Sequence, residues 1–105
     1  MQVNYKRPFQ QYVKKAHKPL QLAILDVVET IREDLMIGEA KIGDLAGIRV
    51  CKFRFNRQEY LLAYRPQILV RTNHSDQSEF FGIDFYLVGT HENFYDTLKR
   101  YLQEE

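Results

Sequence analysis

A single cysteine, Cys51, excludes an internal disulfide, and on the apolar parity of an expected strand it reads as a buried, inert thiol. No apolar run approaches the roughly 18 residues of a membrane span. The N-terminus lacks the apolar stretch of a signal peptide. A soluble, reducing, cytoplasmic setting is the expectation. His17, His74 and His91 show no ligand-pair spacing with one another or with Cys51, and the carboxylates do not cluster. No metal and no cofactor is therefore expected. There is no glycine-rich phosphate loop and no nucleophile elbow, which argues against nucleotide hydrolysis and against a serine triad. Repeats, linkers and low-complexity segments are also missing.

What the chain does have is aromatic residues and segregated charge. Seven Tyr and seven Phe in 105 residues supply one hydrophobic core, and the length suits one domain over residues 1–105. The net charge of +1 conceals its distribution. Residues 1–20 hold five bases (Lys6, Arg7, Lys14, Lys15, Lys18) and no acid, and residues 21–47 hold six acids against two bases. Residues 48–75 hold six bases against one acid, and residues 76–105 hold seven acids against two bases. Blocks of this size imply a folded molecule with a basic and an acidic side, and a basic cleft attracts phosphate even when the whole is near neutral.

Apolar periodicity divides the chain into an α+β order. Met1 to Tyr5 forms a short edge strand. After Pro8, the positions Phe9, Tyr12, Val13 and Ala16 form a helical stripe that ends before Pro19. Leu20 to Met36 is the clearest helix, with Gly38 as its stop. These two helices make an αα-hairpin packed on a small, mainly antiparallel sheet of three or four strands. Ile48 to Asn56 and Tyr60 to Arg65 are strands joined by the turn NRQE, and Phe80 to Val88 is the third. On that strand Phe81, Ile83, Phe85 and Leu87 share one face, and Phe80, Asp84, Tyr86 and Val88 the other. Pro66 to Glu79 reads as a long loop that PQILVR shortens partway. Asn93 to Leu102 closes the chain as a helix with Phe94, Leu98, Tyr101 and Leu102 inward.

The strand Arg49 to Phe55 organises the rest. Strand side chains alternate faces, so Cys51, Phe53 and Phe55 point one way and Val50, Lys52 and Arg54 the other. Two neighbouring cations on one face gain nothing for folding, which makes sense where an anion sits. His91 follows the third strand at the entry to the last helix, where free N–H groups and positive potential suit a phosphate. Metal-free RNA cleavage needs a base for the 2′-OH, an acid for the departing 5′-oxygen and cations for the charge on phosphorus. His91 fits as base or acid, with Tyr95 or Glu92 for the other role. Lys52, Arg54 and Arg65 fit as the clamp. His17 reads as a surface residue near a helix end, and His74 as a solvated loop residue.

The segments KIGDLAG, RVCKFRF, EYLLAY and LVGTHENFYDTLKRYL, in the order helix, helix, three strands, helix, resemble the RelE/ParE superfamily of type II toxin–antitoxin toxins over about Phe9 to Leu102. The resemblance implies a compact toxin of one RelE/ParE-like domain, with an antitoxin protein as its partner. RelE-like members cut mRNA in the ribosomal A site; ParE-like members inhibit DNA gyrase and lack the nuclease residues. Carried over by position, Lys52 and Arg54 fall on the strand that bears paired basic catalytic residues. His91 in GTHENFY is similar to the histidine of the GTH motif in the YafQ-like branch. Phe94 or Tyr95 matches the aromatic region that stacks on the nucleotide or assists proton transfer. The catalytic set this implies is His91, Lys52, Arg54, Arg65 and Tyr95, and the RNA-binding set is Arg49, Arg57, Phe94, Lys14 and Lys15. Leu61 stands where the nucleases carry the arginine of an R-L-V-Y strand, with Arg65 or Arg57 as substitutes. The reading is a ribosome-dependent mRNA endonuclease; its alternatives are a gyrase inhibitor and a non-catalytic RNA-binding relative.

Overall fold

The computed structural model describes residues 1–70 and 78–105. His74 and the middle of the expected loop, residues 71–77, lie outside them. The elements run β1 (Gln2–Tyr5), α1 (Arg7–Lys15), α2 (Lys18–Glu33), β2 (Glu39–Ala40), a 3₁₀ turn (Gly43–Leu45), β3 (Arg49–Phe55), β4 (Gln58–Val70), β5 (Ser78–Thr90) and α3 (Phe94–Glu104). None of the described helices is long and apolar enough to cross a membrane.

The α+β class and the closing helix are as the periodicity predicts, and the sheet is larger. It has five strands in the order β1-β5-β4-β3-β2, and β1 lies parallel to β5 while its other pairings are antiparallel. The expected loop from Pro66 to Glu79 is largely strand, because β4 continues to Val70 and β5 already starts at Ser78. The two N-terminal helices differ from a simple paired hairpin. The Lys6 amide bonds Phe85 O at 2.8 Å, so α1 leaves β1 beside β5 and sets Phe9 against Phe85, with ring centroids 5.6 Å apart.

Each face of the sheet has its own core. On one face α1 and α2 bury Phe9, Leu20, Ile24, Val28 and Ile31 against Leu62, Tyr64, Ile83, Phe85 and Val88. On the other, α3 buries Phe94 and Leu98 against Ile48, Val50, Leu61, Ala63 and Tyr86. The helix α2 ends at Glu33, short of the expected Met36. Asp34 stops it: its side chain accepts a hydrogen bond from the Met36 amide at 3.1 Å, a local turn that competes with the helix. Gly38 has a different task from the one its position suggested. A Cβ there would lie 2.8 Å from the Tyr64 ring. The buried Tyr64 hydroxyl accepts from the Gly38 amide at 2.9 Å and donates to Leu35 O at 2.9 Å, tying the end of α2 to the sheet.

Two local irregularities decide where side chains go. Between β3 and β4 the turn is only Asn56–Arg57, both with positive φ (49° and 66°), so Phe55 pairs with Gln58 and Arg54 with Glu59. This two-residue geometry matches the right-handed twist of the flanking strands. On β5 the register shifts, Ala63 pairing with Leu87 but Tyr64 with Phe85, which leaves Tyr86 as a bulge residue. Tyr86 and Leu87 consequently both join the α3-side core, and Val88 joins the other. The simple alternation expected for this strand holds only as far as Tyr86.

Candidate active site

The bulge has a chemical result. Under unbroken alternation His91 would share the face of Phe85. One extra residue flips the odd positions beyond it, and His91 emerges on the α3 side, the side that carries Lys52 and Arg54. There its Nε2 is in direct hydrogen-bonding contact with Glu59 of β4. Glu59 in turn lies opposite Arg54 across the β3–β4 ladder, and Lys52 lies opposite Leu61. His91, Lys52, Arg54 and Arg57 are all solvent-exposed. The Glu59 carboxyl is held below the usual range first by its hydrogen bond to His91, then by the charges of His91, Lys52 and Arg54. It is therefore an anion at neutral pH, at the centre of three potential cations.

Glu59 was not among the residues singled out from sequence. The signal for it was the turn. Reading Asn56–Arg57 as a complete two-residue turn would have placed Glu59 opposite Arg54, on the same face.

The remaining candidates divide into those near this cluster and those committed elsewhere. Tyr95, in the first turn of α3, is half-buried and reaches toward the β2 edge, with Lys41 Nζ 5.4 Å from its ring centroid. The Lys41 ammonium is raised above its ordinary value chiefly by Glu39, 2.9 Å away, and to a lesser extent by the Tyr95 hydroxyl. Phe94 belongs to the core: it is buried under α3 against the sheet and cannot stack on a nucleotide. Arg49 points to the opposite face from Lys52, and its Nη1 donates to Met36 O at 3.1 Å and Gly38 O at 2.6 Å, capping the chain beyond α2.

Arg65 shares the face of Glu59 but lies six residues along β4, about 20 Å at the rise of a strand. Its guanidinium stacks over Tyr86, 5.4 Å from the ring centroid, and donates to the Tyr86 hydroxyl at 3.3 Å. It is not part of the His91 cluster, and neither it nor any other arginine substitutes for Leu61, which is fully buried. Lys14 and Lys15 are exposed in the last turn of α1, on the other side of the sheet from His91. They still lie toward the same end of the molecule, because His17, just beyond them, packs its ring edge-on to Phe55 at 5.7 Å. Among the described residues no group of three or more His, Cys, Asp or Glu side chains is arranged to hold a metal.

A histidine–carboxylate pair flanked by lysine and arginine can accept a proton, hold the resulting imidazolium and stabilise a neighbouring phosphate. No curated protein and no solved structure matches the chain. A family model described as ParE-like toxin of type II bacterial toxin–antitoxin system matches residues 3–99, nearly its whole length. The α+β fold with its closing helix accords with the RelE/ParE superfamily. The chain belongs to the ParE-like toxins of type II bacterial toxin–antitoxin systems.

Proposed function

We propose that this toxin is a ribosome-dependent mRNA endonuclease that works without a metal, and that His91, Glu59, Lys52 and Arg54 form its catalytic group. The observation that carries the reading is the Glu59–His91 contact, set on an exposed face beside two strand cations. A toxin that acts only by covering a protein surface has no need of that constellation.

In the proposed reaction, His91 takes the proton of the ribose 2′-OH and the 2′-oxygen attacks phosphorus. The bond from phosphorus to the 5′-oxygen then breaks, leaving a 2′,3′-cyclic phosphate. Glu59 orients the imidazole and stabilises the imidazolium that forms, as a buried carboxylate does in hydrolytic triads. Lys52 and Arg54 bear the charge that accumulates on the non-bridging oxygens. The Tyr95 hydroxyl supplies the proton to the departing 5′-oxygen. Arg57, at the tip of the β3–β4 turn, and Lys14 and Lys15 contact the RNA backbone further out.

The test is cleavage of a reporter mRNA in a reconstituted translation system. His91→Ala is expected to lose about 10²–10⁴-fold in cleavage rate, the usual worth of a general base, while retaining the fold by circular dichroism. Glu59→Gln should keep the hydrogen bond, lose the charge and fall between wild type and His91→Ala. A fully active His91→Ala removes His91 from the mechanism. The second reading, a gyrase inhibitor, draws on two observations: the match to ParE-like toxins and the buried Leu61 in place of an arginine. In that case purified toxin blocks supercoiling, and His91→Ala leaves the block intact.

A further inference from the structure

The outer edge of β3 is covered only at its start. β2 is two residues long and pairs Glu39 with Val50 and Ala40 with Arg49. The ladder's phase follows from one further bond, Lys41 N–H to Ile48 O at 2.9 Å. In an antiparallel ladder hydrogen-bonded pairs recur every second residue, so even-numbered residues of β3 turn their N–H and C=O groups toward the outer edge. Beyond Val50 those are the groups of Lys52 and Arg54, and no backbone partner meets them among the described residues. The uncovered stretch, Cys51 to Phe55, is about 16 Å long. Its side chains have opposite characters on the two faces. Lys52 and Arg54 are exposed on one, while Cys51, Phe53 and Phe55 are half-exposed and apolar on the other. At the end of β2 a shallow depression between Ile37 and Glu39 on one side and Cys51 and Lys52 on the other opens onto this edge.

An edge of this kind accepts a strand. A second copy of the chain is a poor occupant, because antiparallel self-pairing about Phe53 sets Lys52 of one copy directly across from Arg54 of the other, and like charges opposite each other destabilise a ladder. We propose that the β3 edge is a docking strip for an extended segment of a partner protein in which acidic and apolar residues alternate. The acidic positions face Lys52 and Arg54, the apolar positions extend the row of Cys51, Phe53 and Phe55, and the partner's main chain bonds to that of Lys52 and Arg54. Such a segment covers both strand cations, so one binding event masks the proposed phosphate clamp. The proposal rests on the antitoxin partnership that the toxin–antitoxin family implies, not on nuclease chemistry, and it holds whether or not His91 is catalytic.

The test uses the isotope-labelled full chain and a soluble ten-residue peptide alternating Glu with Val. The comparisons are a scrambled peptide of the same composition and one N-methylated at every second amide. Saturation with the alternating peptide is expected to slow amide exchange at Lys52 and Arg54 by about tenfold or more. Phe53, whose amide already faces β4, should change little. The scrambled and methylated peptides should bind at least about tenfold more weakly, since main-chain pairing and face alternation are both lost. Equal binding of the scrambled peptide overturns the proposal. So does binding without protection at Lys52 and Arg54, and so does the absence of any binding up to millimolar peptide.

Discussion

Glu59 and His91 test each other. The carboxyl is fully exposed, so its depressed pKa owes nothing to burial and most to the imidazole it contacts. A carboxyl lowered in the folded state contributes stability that is present above its unfolded value, near 4.3, and is lost as pH falls through the folded value. Carbon-detected titration of the Glu59 carboxyl should give a midpoint below the ordinary glutamate range, and in His91→Ala the midpoint should move back up. An unchanged midpoint in the variant would mean that the contact does not persist in solution. Lys52 and Arg54 were readable from the chain because strand parity is a local rule. Phe94 shows the converse. The helical stripe already placed it inward with Leu98, and only the family resemblance suggested a role at the surface. Where the two conflicted, burial was the better guide. Arg49 and Arg65 were misjudged for another reason: parity gives the face of a side chain, but not the carbonyl or ring that claims it.

At the level of elements, the β3–β4 turn and the β5 bulge between them assemble the site. The turn carries a non-glycine residue, Arg57, at φ 66°. In the two-residue turn that pairs Phe55 with Gln58, the second position favours glycine, since a side chain in the left-handed region crowds its own carbonyl. Arg57→Gly is expected to stabilise the fold by about 0.5 kcal/mol, net of the extra freedom glycine gives the unfolded chain. The urea midpoint should rise with its slope unchanged. A fall in the midpoint would imply that the arginine side chain holds the turn. The strand identities were legible from apolar alternation, but their lengths were not. Pro66 and the polar run after Val70 look like the ends of strands, yet β4 runs on through Pro66, whose place in the ladder depends on its neighbour β5. The bulge was illegible for a related reason. It exists because Tyr64 pairs with Phe85 and Ala63 with Leu87, a relation between two strands that neither carries alone.

Over the whole molecule the alternating charge blocks of the sequence become an end-to-end asymmetry more than two opposed sides. The exposed bases Lys14, Lys15, Lys18, Lys52, Arg54 and Arg57 lie toward the β3–β4 turn, where His17 meets Phe55. Helix α2 runs from there to Glu33 and Asp34, and α3 runs from Phe94 back to Glu104 and Glu105. Bases at the far end are engaged locally: Lys6 with Glu105 at 2.9 Å, Arg49 with two carbonyls, Arg65 with Tyr86. A polyanion approaching this molecule is therefore drawn to one end of it. Binding of single-stranded RNA should weaken linearly in log–log salt plots, and each phosphate contact removed should reduce the slope by about 0.7. Lys52→Ala and Arg54→Ala are expected to lower both the slope and the cleavage rate, because these cations serve the scissile phosphate as well as the backbone. Lys14→Ala and Lys15→Ala, on the opposite face of the sheet from His91, should lower the slope alone. Unchanged slopes for both α1 variants would confine the RNA track to the α3 side of the sheet, with the strand cations as its floor.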